Sequence, residues 1–353
     1  MEQATIIGID ISKKSFQLHG ATAEGEPVFR KTLSRGRFLA FLSEVPSCLV
    51  VMEACGGAHH WGRAIIDLGH ECKLIPPVYV KPFVKRQKND SNDAAAIVEA
   101  AQRPTMRFVA VKSEAAQSDS MLFRTRALLV RQRTQTINSL RGHLAEFGVI
   151  APLGPGGVEK LRGELEAVRD SLPEQVASMA TLLFTQVAAL SGRIADLEKE
   201  IRVRARERAD MKRLMTIPGV GPICAMAVHA FAPPMESFKS GRDFAAWVGL
   251  TPRQHSTGGR QRLGRITKMG QRDIRQLLVL GATAVLRHAR RRAELDDPWL
   301  RRMLAEKPPK LVAVALANRM ARVIWALSVR EEDYRAPAAA GVVTKRPPGK
   351  EQG

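Results

Sequence analysis

Asp10 stands in the middle of an isoleucine-rich run, Ala4 to Ser12 (ATIIGIDIS). A carboxylate there is costly to bury unless it is paired or holds a metal ion. Glu53 closes a short apolar run, Cys48 to Glu53 (CLVVME), and the ends of neighbouring strands are where an α/β site assembles. Asp90 and Asp93 follow in Lys88-Asn-Asp-Ser-Asn-Asp93; a spacing of three at a helix start puts both on one face. Singly, each acid has an ordinary structural reading. Asp90 can be an N-cap with Asp93 as its capping-box-like partner, Glu53 can pair with an arginine such as Arg63, and Asp10 can accept backbone hydrogen bonds at a turn. Together, four acids from two strands and one helix can hold two divalent ions about 4 Å apart, clamping the attacking and leaving oxygens of a phosphodiester. Magnesium suits such hard oxygens, whereas zinc favours His or Cys.

The other chemical candidate is Ser256, in Thr251-Pro-Arg-Gln-His-Ser-Thr-Gly-Gly259. Arg253, Arg260, Arg262, Arg265, Lys268, Arg272 and Arg275 surround it in sequence, and Asp273 is the only acid between Arg253 and Arg275. A hydroxyl in a glycine-rich loop among arginines is placed to meet a phosphate, and guanidinium groups stabilise charge developing there. A serine needs activation to act as a nucleophile. His255 is adjacent, but neighbouring side chains diverge, so it is not assigned as the base. Two readings stay open: a nucleophile, or a phosphate-binding loop in which Ser256 only donates a hydrogen bond.

The bulk composition points the same way. The 353 residues carry 55 Lys+Arg against 35 Asp+Glu, a formal net charge of +20, and the sequence pI is about 10.5. Such an excess argues for a polyanionic partner, because phosphate neutralisation dominates nucleic-acid affinity. The cluster Arg287 to Arg292 (RHARRR) reads as a solvated helix face or a phosphate track, and the net charge favours the track. A membrane surface also attracts cations, but no apolar run of spanning length and no leader is apparent, so no membrane role and a cytoplasmic, nucleoid-associated location in a bacterium are expected. The four cysteines, Cys48, Cys55, Cys72 and Cys224, form no Cys-x-x-Cys pair, which argues against zinc and for buried, unreactive thiols.

The elements that must position these residues follow from periodicity. Ile7, Ile9 and Ile11 share one face of the first strand; Ile6, Gly8 and Asp10 share the other. Strands are expected near Ser15–Ala21 and Pro27–Leu33, a helix at Arg37–Glu44, a buried strand at Cys48–Glu53, a helix at Ala58–Leu68, a strand at Cys72–Ile75 and a helix after Asp90. This is a mixed sheet covered by helices. From about Ser118 long helices take over. Val176, Leu183, Leu190 and Leu197 recur every seven residues, interleaved with Ala180, Val187, Ile194 and Ile201. That seam proposes a coiled coil, made between chains or by two helices of one chain. Ile217-Pro-Gly-Val-Gly221 resembles the hairpin of a helix-hairpin-helix unit or an ordinary helix–helix turn. Helices are expected near Asp243–Val248, Asp273–Arg287 and Lys310–Val329, with Trp247 and Trp325 in the core and His59 and His60 on a helix edge.

Five motifs in order now carry a resemblance: Gly8-Ile-Asp-Ile-Ser-Lys13, Met52-Glu-Ala-Cys-Gly-Gly57, Lys88-Asn-Asp-Ser-Asn-Asp-Ala94, Ile217-Pro-Gly-Val-Gly221 and Trp247-Val-Gly-Leu-Thr-Pro-Arg-Gln-His-Ser-Thr-Gly-Gly259. Spanning roughly residues 4 to 330, they resemble the bacterial insertion-sequence transposases that join an N-terminal RuvC-like DEDD domain to a C-terminal serine domain, the RNA-guided, bridge-RNA recombinases. The resemblance implies an RNase H-like fold for the first domain, Asp10, Glu53, Asp90 and Asp93 as the metal-binding tetrad, and Ser256 as a nucleophile linked transiently to a DNA phosphate. It also implies a structured noncoding RNA made from the element, and a dimer or tetramer assembled through the helical middle, in which the acids of one subunit meet the serine of another. The expected organisation is a RuvC-like DEDD domain at 1–112, a helical coiled-coil region at 113–205, a mainly helical serine transposase domain at 206–335 and a disordered basic tail at 336–353. Two further functions compete: a junction-resolving nuclease that needs only the acids, and a non-enzymatic architectural or RNA-binding protein.

Overall fold

The computed structural model describes residues 4–84, 90–154, 156–255, 257–260, 262–291 and 297–335. The chain divides into two compact units, 1–117 and 118–353.

The first unit is built on a five-stranded sheet with order β3-β2-β1-β4-β5: β1 (Ile6–Ile11), β2 (Ser15–Ala21), β3 (Pro27–Ser34), β4 (Leu49–Glu53) and β5 (Glu71–Ile75). β1, β2 and β3 run antiparallel, and β4 and β5 add on parallel to β1. This is the mixed sheet expected from the sequence. Both faces are covered, as the alternation of β1 requires. Ile7 and Ile9 pack with α1 (Arg35–Ser43) and α2 (Ala58–Asp67), through Phe38, Leu42, Trp61 and Ile65. Phe16, Phe38 and Trp61 meet edge-to-face with centroids 4.9–5.4 Å apart; such pairs add about 0.5–1.5 kcal/mol each beyond burial. Ile6 and Val51 face the other way, against a short helix α3 (Pro77–Val80) and α4 (Asp90–Ala101), through Val80, Ile97 and Val98.

The second unit is mostly helical. α5 (Glu114–Ala145), which begins just before the boundary, α6 (Gly157–Val168) and α7 (Glu174–Glu207) form one group. Leu140 and Leu144 of α5 meet Ala180 and Phe184 of α7, while Asp119 and Arg126 near the start of α5 pair with Arg204 and Glu198 near the end of α7. The two helices therefore run antiparallel, and the stripe Ala180, Val187, Ile194 and Ile201 is buried within the chain. The remainder is α8 (Ala209–Met215), α9 (Pro222–Phe231), α10 (Gly241–Val248), β6 (Pro252–Gln254), β7 (Leu263–Ile266), α11 (Arg272–Arg291), α12 (Pro298–Glu306) and α13 (Pro309–Arg330), around a core that includes Met226, Phe244, Leu278 and Ile324.

A charged network ties α5, α7, α8 and α9 together. Asp119, 5% exposed, accepts from Arg204 Nη1 at 2.6 Å. Asp210 accepts from Arg208 at 3.1 and 3.2 Å. His229 lies between the two acids, with Nδ1 3.0 Å from Asp210 and Nε2 3.4 Å from Asp119, the latter an ion-pair distance without hydrogen-bond geometry.

Three expectations change. α13 is long and apolar enough to cross a membrane by length and composition, contrary to the expectation that no run reaches that length. Val312, Leu316, Met320 and Ile324 nevertheless pack it into the core of its unit. Cys55 is exposed rather than buried. α12 had no counterpart in the sequence reading, and its start is set by Asp297, which accepts from the N–H groups of Trp299 and Leu300.

Candidate active site: an acidic cavity and a basic hairpin

Asp10 and Glu53 reach the same place because β1 and β4 are parallel. Their register runs from Ile6 opposite Leu49 to Ile9 opposite Met52, so the next step sets Asp10 beside Glu53, on the face that α4 covers. Gly8 brings α4 close. A β-carbon built on Gly8 would lie 2.5 Å from the Ala94 carbonyl oxygen and 2.7 Å from Val98 Cγ2, so only glycine lets the helix settle there. Asp93 precedes Ala94 directly, and the result is a cavity of about 270 Å³ lined by Asp10, Glu53 and Asp93 together with Val80, Lys81 and Ile97. Asp90 opens α4, while its side chain lies outside the described part.

The acids affect one another. Burial first, then the negative charges of Asp10 and Asp93, raise the Glu53 carboxyl above its ordinary value. Cys55 is exposed as a residue, but local desolvation of its sulfur, then the charges of Glu53 and Asp10, likewise raise its thiol. Arg63 does not pair with Glu53: it donates to the Lys112 carbonyl at 2.9 Å and lies 3.9 Å from Glu114. Among the described residues no three acid, imidazole or thiol groups are drawn into a closed metal-binding cluster. The donor set, hard carboxylate oxygens lining one cavity, fits a divalent metal. Lys81 is a cavity residue that the sequence reading missed; it lies outside every motif, and only the fold brings it to the acids.

Ser256 lies outside the described residues, but the stretches on either side of it are placed. The segment read as a loop is a β-hairpin of β6 and β7. Gly258 and Gly259 both have positive φ, 55° and 75°, and the Arg260 N–H donates to the Thr257 carbonyl at 3.1 Å. This is the pattern of a type I′ turn, which needs positive φ at both central residues. The Gly-Gly pair was the available signal. It went unused because β6 and β7 are exposed and lack apolar alternation. Arg253, Arg260, Arg262, Arg265, Lys268 and Arg272 are exposed on the hairpin or just after it. Arg275 differs: it is 8% exposed, and its Nη1 donates to the Val248 carbonyl at 2.8 Å. The side chains of Arg290 and Arg291 and the whole of Arg292 lie outside the described part of the basic cluster.

Ile217 to Gly221 forms the turn between α8 and α9. Gly219 has φ +87°, and a β-carbon there would lie 2.9 Å from the Gly281 carbonyl oxygen. That glycine is explained by packing on α11, whereas Gly221 has open space around it.

Comparisons with known proteins place these features in context. Residues 7–148 match a family profile described as "Transposase", of the DEDD type, and residues 211–297 match one described as "Transposase IS116/IS110/IS902 family". The chain is 46% identical over 336 residues to a "Putative transposase y4pF/y4sB" of Sinorhizobium fredii, covering 95% of this chain and 87% of that one. It is 45% identical over 331 residues to a "Probable family 20 transposase" of Pseudomonas aeruginosa, covering 93% and 98%. It is 38% identical over 339 residues to the "Transposase for insertion sequence element IS1111A" of Coxiella burnetii, covering 96% and 93%.

Proposed function

Because this chain belongs to the IS116/IS110/IS902 family of transposases, we propose that Asp10, Glu53, Asp90 and Asp93 hold divalent cations and that Ser256 is the nucleophile with which it cuts and rejoins DNA. The protein is an enzyme of DNA strand transfer; its RNase H-like DEDD domain points to divalent metal use. The observation that carries the fuller reading is the convergence of Asp10, Glu53 and Asp93, from two strands and a helix, on one cavity. Magnesium, two ions per site, suits these oxygens. Bound there, divalent cations would neutralise charge on the attacking and leaving oxygens.

The chain's own residues supply the rest. The carboxylates hold and orient the cations, and Lys81 at the cavity adds positive charge toward a phosphate. The exposed Arg253, Arg260, Arg262, Arg265, Lys268 and Arg272 hold the DNA backbone and stabilise charge on the phosphoryl oxygens. Ser256 Oγ bonds to phosphorus as a sugar oxygen leaves and takes up a proton. A sugar hydroxyl of the second strand then attacks that phosphorus, and Ser256 departs with a proton. The seryl–DNA ester conserves the phosphodiester, so rejoining needs no external energy.

The family resemblance supports a noncoding guide RNA, and the +20 charge suits RNA as it suits DNA. A homo-oligomer, dimer or tetramer, with coiled-coil contacts through α5 and α7 is supported by Met179 and Leu182 of α7, exposed outside the packing within the chain. The open space at Gly221 supports a helix-hairpin-helix contact to a phosphate through the α8–α9 turn.

The deciding experiment is recombination of donor and target DNA with magnesium and the element's flanking RNA, wild type beside Ser256→Ala, read on a denaturing gel. A protein–DNA adduct that disappears in Ser256→Ala is expected. Metal-dependent cutting by Ser256→Ala at the wild-type rate, with no adduct anywhere, leaves a nuclease that works through its acids alone. Unchanged recombination after the RNA is digested removes the guide.

A further inference from the structure

Arg275 belongs to the basic stretch around Ser256, yet its surroundings differ from those of a phosphate contact. It lies in the first turn of α11, on the side of Leu278 and Ala282, and is 8% exposed. Burial, then the charge of Arg272, lowers its proton affinity, but a guanidinium stays charged in a protein. Such a charge needs a partner, and the C-terminus of α10 provides one.

The last carbonyls of α10 can be accounted for one by one, as they must be where no next turn follows. The Ala245 carbonyl accepts from Leu250 N–H at 3.0 Å, and the Ala246 carbonyl from Gly249 N–H at 2.9 Å, with Gly249 at φ +80°. This is a Schellman ending. The Trp247 carbonyl accepts from Gln271 N–H at 3.3 Å. The Val248 carbonyl accepts from Arg275 Nη1 at 2.8 Å, a cation at the negative end of the helix.

The same residues are the foot of the hairpin. The Gly249 carbonyl accepts from Lys268 N–H at 3.2 Å, and the Thr251 carbonyl from Thr267 N–H at 2.8 Å. Lys268 is held at φ +55°, a conformation costly for a side chain of its kind. A β-carbon on Gly249 would lie 2.8 Å from Arg275 Nη1, so glycine leaves room for the guanidinium as well as for the turn.

We propose that Arg275 is a positioning residue: its guanidinium clamps the Val248–Gly249 turn and so fixes the foot of the hairpin whose sequence carries Ser256. Its effect on strand joining rests on the reading of that hairpin as part of the catalytic machinery; the clamp itself does not.

The test compares full-length wild type with Arg275→Gln, Arg275→Lys and Gly249→Ala. It measures amide exchange at Thr267 and Lys268, strand joining with its protein–DNA adduct, and the salt dependence of DNA affinity. In all three variants, exchange at the two amides is expected to accelerate tenfold or more and joining to fall tenfold or more, with the salt slope unchanged. Gly249→Ala removes no charge and strains the same turn directly, so it reads what loosening the foot does to joining even where an Arg275 variant fails to fold, while the Arg275 variants read the clamp. A salt slope shallower by about one in Arg275→Gln, with exchange unchanged, overturns the proposal in favour of a phosphate contact. Full joining by Arg275→Lys overturns it too, because charge alone would then suffice. If the wild type joins strands without an adduct, the serine reading fails, while exchange and joining still decide the clamp.

Discussion

The acids around the cavity of the first unit and the acids where α5, α7, α8 and α9 meet are carboxylates under opposite constraints. Glu53 is raised above the ordinary carboxylate range, by burial and by its anionic neighbours Asp10 and Asp93. Asp210 is held well below that range, chiefly by its hydrogen bond to His229 and then by Arg208. Asp119, more buried than either, has Arg204 and His229 beside it. The acids of the second group have cationic or imidazole partners within the fold and hold helices together. The first costs the fold something, since burial and its anionic neighbours both disfavour the Glu53 carboxylate; on the function proposed above, a cation offsets that cost. Residue type and burial alone would not separate them; the sign of the neighbouring charges does.

Four substitutions break or sharpen that contrast. Asp10→Asn should cut strand cleavage by roughly 10²–10³ or more, since a catalytic metal supplies several kcal/mol, while leaving the thermal midpoint of the metal-free protein unchanged or higher. Cleavage assays beside calorimetry check both; a large loss of stability would mean that Asp10 is structural. Asp119→Ala should do the reverse. Breaking a buried pair costs about 3 kcal/mol or more, which calorimetry would show as a lower Tm of several degrees, and the variant that remains folded at low temperature should still cleave.

Gly8→Ala should act on both quantities. Its methyl group collides with the backbone of α4, an overpacking that costs about 1–3 kcal/mol, and moving Asp93 away from Glu53 should lower cleavage as well; denaturant melts and rates measured together test the link. The smallest effect is that of Asp210→Asn, under about 1 kcal/mol because Asp210 is 46% exposed. A depressed carboxyl stabilises the fold above its unfolded value and loses that contribution as the pH falls. The gap in Tm between wild type and Asp210→Asn should therefore be full at pH 7 and close as the pH falls below 3.8. A gap that persists at low pH would show that shape rather than charge accounts for it.

The acidic site was largely legible in the sequence. An Asp in an isoleucine run, a Glu ending an apolar run and an Asp at a helix start are each expensive or directional placements, and strand parity put Gly8 and Asp10 on one face. Lys81 was not legible, because nothing but tertiary structure brings the short helical segment after β5 to the cavity. The basic region was read through its charge, and charge does not say whether an arginine is exposed or buried. Helical spacing would have separated Arg275 from the rest: it stands three and seven residues before Leu278 and Ala282, both fully buried, on the core side of α11. The heptad seam was visible, and its in-chain burial against α5 depended on a turn and α6 that carry no such repeat.

α13 has a consequence for inheritance. It supplies Val312, Ala317, Met320 and Ile324 to the core on which α10 and α11 are seated, and it is the last helix described. A gene copy whose reading frame is interrupted between codons 292 and 309 would still encode every arginine of the hairpin, Arg275 and Ser256. It would lack the floor on which α10 and α11 are seated, so such a copy loses the support of the hairpin before it loses any codon of the hairpin itself.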